Sequence, residues 1–443
     1  MNARLIKFWQ DLQSSYYFIP GIMVLLTVIL ATATAYIDAQ LSAEIARKLD
    51  IFYAIEPGGA RAVLATIAGA MMTVAAVTFS ITMVAVTTAS GQYGPRLIGN
   101  FMRDRANQFT LGTFTSTFVY ALLVLRITHA GDASSGPDTI SQFVPNLSLL
   151  VAVIMTLVSV GVMIFFIHHI PETLNVGNIL ARVGKKLRDN IEKTFPADLG
   201  KATETKKFDR RSIPEASAHH VCAESEGFVQ AVNDSAMMRL AIEHDLVIEL
   251  MKQPGDFITN GEELVSIWPQ KDIDDETLQE ISASFKKTYA MGKERTAHQN
   301  ILFLADELVE ILARALSPGV NDPFTAINCI NWFKSSLKAM MRANIPNPYR
   351  ADDNGDVRVI TNPIDFKHFA DNMLGQSRNY VATDFNVTCR LLDILDDLIE
   401  SAENTSQKKI LRAHARALNI AATDSQIVAA DKDYLKKRLK MVT

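Results

Sequence analysis

Apolar residues are concentrated in the first 170 positions of the chain, where four long runs are separated by more polar segments. A helix that crosses a bilayer needs about 20 predominantly apolar residues, and each run reaches that length without a charge in its middle. The predicted spans are residues 17–37, 61–90, 106–127 and 144–168. The second would extend for about 45 Å, more than a hydrocarbon core of about 30 Å, so it must tilt or project. Residues 1–170 are therefore predicted to form a transmembrane domain.

After residue 170 the hydrophobic pattern becomes typical of a region that folds in water. Residues 171–217 predict a basic amphipathic helix that leaves the membrane surface, followed by a polar linker. Residues 271–443 place apolar side chains at helical spacing, with a loop at residues 344–356, and so predict a helical cytoplasmic domain.

Residues 218–270 alternate short strand-like runs with turns at Pro254-Gly255 and Asn260-Gly261. The phrase G-D-F-I-x-x-G-E-x-L resembles the barrel-sandwich modules of biotinyl, lipoyl and membrane-fusion proteins. No lysine occupies the hairpin position that a carrier domain presents, so we expect a structural or interaction module without a cofactor. The predicted fold class is membrane α-helical, with four transmembrane helices, plus a cytoplasmic α+β region made of a small β-barrel-like module and a helical domain.

Charge and cysteine content exclude several classes of function. The formal net charge is −4 and no basic stripe is interleaved with aromatic residues, so a nucleic-acid partner is not expected. The three cysteines show no metal-ligand spacing, which indicates free thiols and no metal site. No nucleophile with its base and no phosphate-binding glycine loop is recognisable, so we expect neither an enzyme nor a cofactor.

Basic residues in short loops favour the cytoplasmic side of a membrane. They lie before the first span, between the second and third, and after the fourth: Arg4, Lys7, Arg96, Arg103, Arg105, Arg182, Lys185, Lys186 and Arg188. In the other two loops the basic residues are absent or offset by acidic ones. The pattern predicts a multipass protein of the inner (plasma) membrane with both termini in the cytoplasm.

Hydroxyl side chains recur along the second and third spans. Thr66, Thr73, Ser80 and Thr87 are spaced by seven residues, which places them in one stripe on a helix. Thr113 and Thr117 belong to a second polar stripe, on the third span, which could face the second span. Such stripes serve either to pack helices against one another or, when several copies of the chain assemble, to line an ion path. No acidic residue lies within the spans, which argues against proton-coupled transport.

The segment from Ser317 to Ala326, S-P-G-V-N-D-P-F-T-A, lies between two predicted helices. Pro318 should end the first helix and Gly319 permit a left-handed turn, while Asp322 caps the next helix and Pro323 takes its first position. Capping alone explains the pattern. The functional alternative makes Asn321 and Asp322 polar groups at a subunit contact or a cation site; the carboxylate of Asp322 disfavours an anion. The candidate functional motif is Ser317, Pro318, Gly319, Asn321, Asp322, Pro323 and Thr325.

Several motifs together resemble a family of predicted bacterial multipass membrane proteins of unknown function. They are the S-P-G-[IV]-N-D-P-x-T-A pattern just described, Ser90 to Arg96 (S-G-Q-Y-G-P-R), Arg103-Asp104-Arg105, Leu111-Gly112-Thr113-Phe114, Arg295-Thr296 and Gln299. The resemblance covers nearly the whole chain. It implies the membrane class and the topology with four N-terminal spans, and no established activity.

The pattern as a whole favours an oligomeric ion channel or transport-related protein with a cytoplasmic gating or regulatory domain. Its expected partners are the lipid bilayer and further copies of the same chain; other protein partners are not indicated. The alternative is a membrane-anchored scaffold or stress sensor, whose cytoplasmic region binds proteins while the spans only anchor it.

Overall fold

The computed structural model describes residues 17–40, 56–94, 104–128, 143–193, 201–202, 210, 217–297, 299–345, 347–425 and 427–442. These residues form two compact units. The membrane unit contains residues 17–91 and 104–175, and the C-terminal unit contains residues 92–94 and 176–442, with the gaps just given. Four basic residues used to predict the orientation, Arg4, Lys7, Arg96 and Arg103, lie outside the described residues.

Four apolar helices form the membrane unit: α1 (Phe18–Gln40), α2 (Pro57–Tyr93), α3 (Arg105–Ile127) and α4 (Asn146–Leu174). Each is long and apolar enough to cross a membrane, which confirms the predicted four spans. α2 has 37 residues, and at 1.5 Å per residue it is about 56 Å long, so it extends past a hydrocarbon core of about 30 Å. α3 packs against both α1 and α4 and is the most buried of the four.

Small residues allow close packing within the membrane unit. A Cβ atom added to Gly112 of α3 would lie 2.5 Å from Met23 Sδ and 3.2 Å from the backbone of Pro20 on α1. An alanine here would force Met23 to move and would contact the backbone of Pro20 tightly, as expected where two spanning helices approach closely. Phe114, Tyr120 and Val124 of α3 fill the core on either side.

Two sheets belong to the C-terminal unit. The six-stranded sheet has the order β1-β8-β9-β4-β6-β2, and the three-stranded sheet has the order β5-β3-β7. The strands are β1 (Lys201–Ala202), β2 (His219–Cys222), β3 (Gly227–Val232), β4 (Leu246–Leu250), β5 (Phe257–Ile258), β6 (Glu263–Pro269), β7 (Tyr289–Gly292), β8 (Tyr349–Ala351) and β9 (Val357–Ile360). The described strands do not close into a barrel, so the region predicted to be barrel-like consists of two open sheets.

Strands from distant parts of the chain complete these sheets. β9 pairs in parallel with β4, with Ile248 opposite Val359, and β7 pairs with β3. Residues 344–356 were predicted to be a loop, yet they include β8, which forms a hairpin with β9. A short run such as β8 carries little periodic signal on its own, and its hairpin partner β9 pairs in turn with β4, where Val359 lies opposite Ile248, 111 positions earlier.

Helices cover the sheets and bury their apolar side chains. α6 (Asp234–Glu243) and α7 (Asp275–Lys286) place Met237 and Phe285 in one core with Ile248 and Val265. The side chains of Asn233 and Asp274 accept backbone hydrogen bonds at the two helix starts, as N-terminal caps do.

The remaining helices are α5 (Val176–Lys193), α8 (Ile301–Ala315), α9 (Pro323–Arg342), α10 (Phe366–Ala370), α11 (Gln376–Val381), α12 (Phe385–Ser401), α13 (Thr405–Asp424) and α14 (Ala429–Val442). A π-helical turn (Asp371–Gly375) joins α10 to α11. The apolar side of α5 is buried against α8 and α9, so protein rather than lipid covers the side that made this segment amphipathic.

Candidate functional site

All four hydroxyls of the stripe predicted on α2 lie on the exposed side of that helix. Thr66, Thr73, Ser80 and Thr87 are exposed in the membrane unit. The buried positions of α2 lie on the opposite side, at Ala60, Leu64, Ile67, Ala68, Met71, Ala75, Thr78, Thr82, Ala85, Val86 and Ala89. The stripe therefore faces away from the other described helices of the unit.

The hydroxyl hydrogens of this stripe are largely satisfied within α2. Thr66, Thr73 and Thr87 donate to the carbonyl oxygens four residues earlier, at 2.8, 2.9 and 2.8 Å. Each hydroxyl oxygen keeps lone pairs that can accept a further contact. Thr66 and Thr87 are 21 positions apart, a distance of about 32 Å along the helix, which matches the thickness of a hydrocarbon core. The stripe is long enough to cross a bilayer.

Thr113 and Thr117 of α3 lie inside the membrane unit and are buried. Their hydroxyls donate to the carbonyl oxygens of Phe109 and Thr113, both at 2.9 Å, and the Thr117 hydroxyl lies 2.9 Å from Ser159 Oγ on α4. The structure does not bring these two residues next to the stripe on α2, because that stripe lies on the side of α2 that the described helices leave uncovered.

The turn from Ser317 to Thr325 in the C-terminal unit is organised by its own hydrogen bonds. Asp322 caps α9, accepting from the backbone N–H of Thr325 at 3.1 Å and from its hydroxyl at 2.6 Å, and Pro323 is the first residue of α9. The Ser317 hydroxyl donates to the carbonyl of Arg314 at 2.6 Å. These contacts agree with the capping interpretation of the sequence.

One residue of this turn has a different role from the one predicted. Asn321 has φ 49°, whereas Gly319 does not have a positive φ. The left-handed position is therefore Asn321, since asparagine is the residue other than glycine that most readily adopts it. Pro318, Gly319 and Val320 are exposed, and Phe324 is 82% exposed. The turn presents an apolar outer surface rather than a polar pocket.

The segment before α8, which contains Arg295, Thr296 and Gln299, is attached to strand β3. The side-chain amide of Gln299 accepts from the backbone N–H of Val232 at 2.9 Å and donates to its carbonyl at 3.1 Å. The side-chain amide thus makes the two hydrogen bonds that the backbone of a neighbouring strand would make. Asn300 caps α8 by accepting from the backbone N–H of Phe303 at 3.1 Å. This structural role accounts for Gln299, and His298 beside it lies outside the described residues.

A polar cluster around the buried Asp306 of α8 was not predicted from the sequence. Arg295 pairs with Asp306 at 2.5 Å, and Asn372 donates to the other oxygen of the same carboxylate at 2.9 Å. The guanidinium of Arg295 also lies 5.8 Å from the ring centroid of Phe303. Asn372 belongs to the π-helical turn, and such turns are frequent at functional sites. Only the tertiary fold reveals this cluster, because its members are separated by up to 77 positions.

The preceding residue of the π-helical turn, Asp371, contacts a second set of charged groups. Lys367 donates to Asp371 at 2.7 Å and, together with His414 at 3.0 Å, holds the pKa of this carboxyl below its ordinary value. Burial lowers the pKa of His414, although Asp371 opposes that effect. The described residues contain no group of three or more acidic, histidine or cysteine side chains that could hold a metal ion.

Comparison with known proteins gives the chain a family. The model of a family described as predicted membrane protein (DUF2254) matches residues 13–397. The chain belongs to this family. The DUF2254 match includes the four spanning helices, the two sheets and the turn from Ser317 to Thr325, whereas α13 and α14 follow it.

Two mycobacterial proteins are similar to this DUF2254 member over most of its length. The uncharacterized proteins Mb1321c of Mycobacterium bovis and Rv1290c of Mycobacterium tuberculosis are each 26% identical to it over 352 residues, which is 80% of this chain. The aligned part covers 66% of the relatives' own length, slightly less than two thirds. No solved structure matches the chain.

Proposed function

We propose that this membrane protein is an oligomeric ion channel, or a related transport protein, of the bacterial inner membrane. In this proposal both termini lie in the cytoplasm and the C-terminal unit acts as a gating or regulatory domain. The supporting observation is the exposed stripe formed by Thr66, Thr73, Ser80 and Thr87, which is as long as a bilayer core is thick.

The exposed side of α2 is suited to contact with the same side of other copies. Gly69 and Ala76 lie near the hydroxyls and are exposed too, and nothing lies within 4 Å of a Cβ atom added to Gly69. Small residues let spanning helices approach one another closely. One stripe cannot enclose a path, so several copies would have to place their α2 helices around a common axis.

The chemistry of the stripe favours cations. Three of its hydroxyls donate their hydrogens to their own helix, and the remaining lone pairs present partial negative charge outward. A ring of such oxygens, one from each copy, would replace part of the hydration shell of a monovalent cation. Successive rings would be about 10.5 Å apart, because seven residues separate them.

The test is cation flux through purified protein in liposomes. Wild-type protein should conduct K⁺ or Na⁺, and Ser80→Leu and Thr87→Leu should reduce the flux at least several-fold by narrowing the path. Ile81→Phe is the matched control, because Ile81 is exposed on α2 but lies about 100° around the helix from Ser80. A protein that is monomeric by mass measurement in detergent, or that shows no cation flux at any potential or tension, would contradict the proposal.

The proposal assigns the chain no enzymatic activity, cofactor or nucleic-acid partner. Its partners are the bilayer and further copies of the chain. One observation favours the alternative of a membrane-anchored scaffold, namely the exposed side chains of Val320 and Phe324 on the turn before α9. A scaffold predicts a protein that co-purifies with the wild type and is lost with Phe324→Ser, while Ser80→Leu has no effect on its binding.

A further inference from the structure

We propose that each copy of the chain also conducts protons through the interior of its membrane unit, along α3. This path is separate from the stripe on α2 and needs no second copy. Starting at its N-terminal cap, α3 carries a polar side chain at every third or fourth position: Asp104, Asn107, Thr110, Thr113, Thr117 and Tyr120.

The spacing brings each of these side chains next to the following one. Residues three or four positions apart on a helix are neighbours, with Cβ atoms about 5–6 Å apart. From Asp104 to Tyr120 the series covers 16 positions, or about 24 Å along the axis. Every member after Asp104 is buried. The helix therefore carries a continuous polar series through the apolar core of the unit.

At one end the series reaches a carboxylate and an imidazole. Asp104 Oδ2 lies 2.9 Å from His169 Nε2 on α4, and its other oxygen accepts from the backbone N–H of Ala106 at 2.9 Å. Thr173 Oγ is 3.2 Å from the same imidazole nitrogen, and Phe165 stacks on the ring. Asp104 and His169 are both partly exposed, so protons from solution can reach this end.

In the middle of the series, several polar atoms are buried and have no hydrogen-bond partner among the described residues. They are Asn107 Oδ1, Thr110 Oγ and, beside Thr117, Ser116 Oγ, and each of these residues is less than 4% exposed. Buried polar atoms in proteins almost always have partners, and water supplies them where protein does not. Water bridging these atoms would join Asp104 to Thr117, which already contacts Ser159 at 2.9 Å.

The other end of the series leads to a second carboxylate. The Tyr120 hydroxyl lies 2.9 Å from Thr34 Oγ on α1, and the side chain of Ser148 on α4 is nearby. Ser148 donates its hydroxyl to Asp38 Oδ2 at 2.7 Å, and the backbone N–H groups of Leu147 and Ser148 donate to Asp38 at 2.9 Å each. Asp38 is partly exposed. The series therefore joins two solvent-accessible carboxylates through a buried interior.

These features suit a proton better than a metal ion. A hydroxyl or a water molecule can accept one proton and release another, so a charge crosses the chain while every group keeps its composition. No oxidant or reductant is needed. The contacts of 2.9 Å at Thr117 and Tyr120 leave no space for a hydrated ion. Acidic residues are absent from the middle of the spans, and the structure places them instead where protons enter and leave.

The test is proton flux into liposomes that contain the full-length protein and an enclosed pH-sensitive dye. Valinomycin and a K⁺ gradient set the membrane potential, so K⁺ permeation along the α2 stripe cannot supply the signal. We expect wild-type protein to acidify or alkalinise the lumen according to the sign of the potential. Tyr120→Phe, which removes only the hydroxyl, should reduce the flux at least tenfold.

The matched control is Thr32→Val. Thr32 lies on α1 close to Thr34, but it is exposed and donates only to the carbonyls of its own helix, at 3.1 and 2.8 Å. Its replacement should leave proton flux unchanged. If Tyr120→Phe does not yield a monodisperse protein, Thr117→Val decides, because it removes the contact with Ser159 with little change of shape.

Two results would overturn the proposal. One is a wild-type flux equal to that of protein-free liposomes; the other is wild-type flux retained in a folded Tyr120→Phe or Thr117→Val protein. Neither result bears on cation flux along α2, which is measured with Ser80→Leu. Failure of one path can therefore be distinguished from failure of the other.

Discussion

Replacing Gly184 by alanine tests how α5 packs on α9. α5 begins the larger part of the C-terminal unit, and α9 covers part of its apolar side. A Cβ atom at this position would lie 2.3 Å from Trp332 Cε3, 2.4 Å from Cδ2 and 2.9 Å from Cγ. Carbon atoms in contact normally lie about 3.5–4.0 Å apart. Because Cγ itself is too close, rotation of the ring about its bond to Cβ cannot relieve the overlap, and the indole or α5 must shift.

The expected loss of stability is the difference between two effects. Alanine in a helix interior is favoured over glycine by about 1 kcal/mol, whereas forcing an extra carbon into packed structure costs about 1–3 kcal/mol. The overlap of more than 1 Å with a large ring corresponds to the upper part of that range, so we expect a net loss of about 1–2 kcal/mol. A loss of this size should lower the melting temperature by about 2–6 °C, by the size scaling of unfolding enthalpy.

Thermal unfolding of the full-length protein in detergent measures this effect, with intrinsic fluorescence as the signal, because Trp332 is one of only three tryptophans. Gly375→Ala is the matched control. Gly375 has φ −68° and nothing lies within 4 Å of an added Cβ atom, so alanine there should leave the melting temperature equal or higher. The double variant Gly184→Ala with Trp332→Leu should recover part of the loss. A Gly184→Ala protein as stable as the wild type would refute the reasoning.

Three further predictions concern the C-terminal unit and use the same thermal assay. Asn321→Val should destabilise the protein by about 1–2 kcal/mol because Asn321 has a left-handed backbone conformation, whereas Gly319→Ala should have no effect. Equal melting temperatures of the two variants would show that Asn321 is not the strained left-handed position. Asp306→Ala should cost about 3 kcal/mol because it leaves the Arg295 guanidinium without its carboxylate, and the double variant with Arg295→Met should cost less than Asp306→Ala alone. Burial lowers the pKa of His414 in the folded protein, so the neutral imidazole stabilises the fold above about pH 6.5, the ordinary pKa of histidine, and this stabilisation is lost as the pH falls. His414→Gln should therefore make the melting temperature less dependent on pH between about pH 7 and 5. An unchanged slope would contradict this role of His414.

Local features of the sequence predicted much of the fold. The four spans follow from uninterrupted apolar runs, because a bilayer imposes a length that no neighbouring contact can alter. The capping roles of Asp322 and Pro323 were also readable, since a cap acts on residues within one turn. The assignment of the left-handed residue to Gly319 was wrong, because the sequence offers both a glycine and an asparagine and the path of the chain selects Asn321.

Features that depend on distant contacts could not be read in the same way. β9 gains its partner β4 only when the chain folds back, and β8, besides its hairpin with β9, pairs with the distant β1. The cluster of Arg295, Asp306 and Asn372 has no local pattern, because its members come from a loop, a helix and a π-helical turn. Asp306 and Glu307 lie among apolar positions of α8, and acidic residues at such positions indicate a buried polar contact. The sequence does not indicate which residue is the partner.

The sequence by itself determined that this chain has four spanning helices and where hydroxyls recur along them, because bilayer thickness and helical periodicity act through local spacing alone. Only the tertiary structure decided which side of each helix the hydroxyls face. In the tertiary structure the stripe on α2 faces outward and the polar series of α3 is enclosed. The reason is that α3 packs between other helices, whereas only one side of α2 is buried. Whether a hydroxyl meets lipid, a second copy or another hydroxyl depends on that packing.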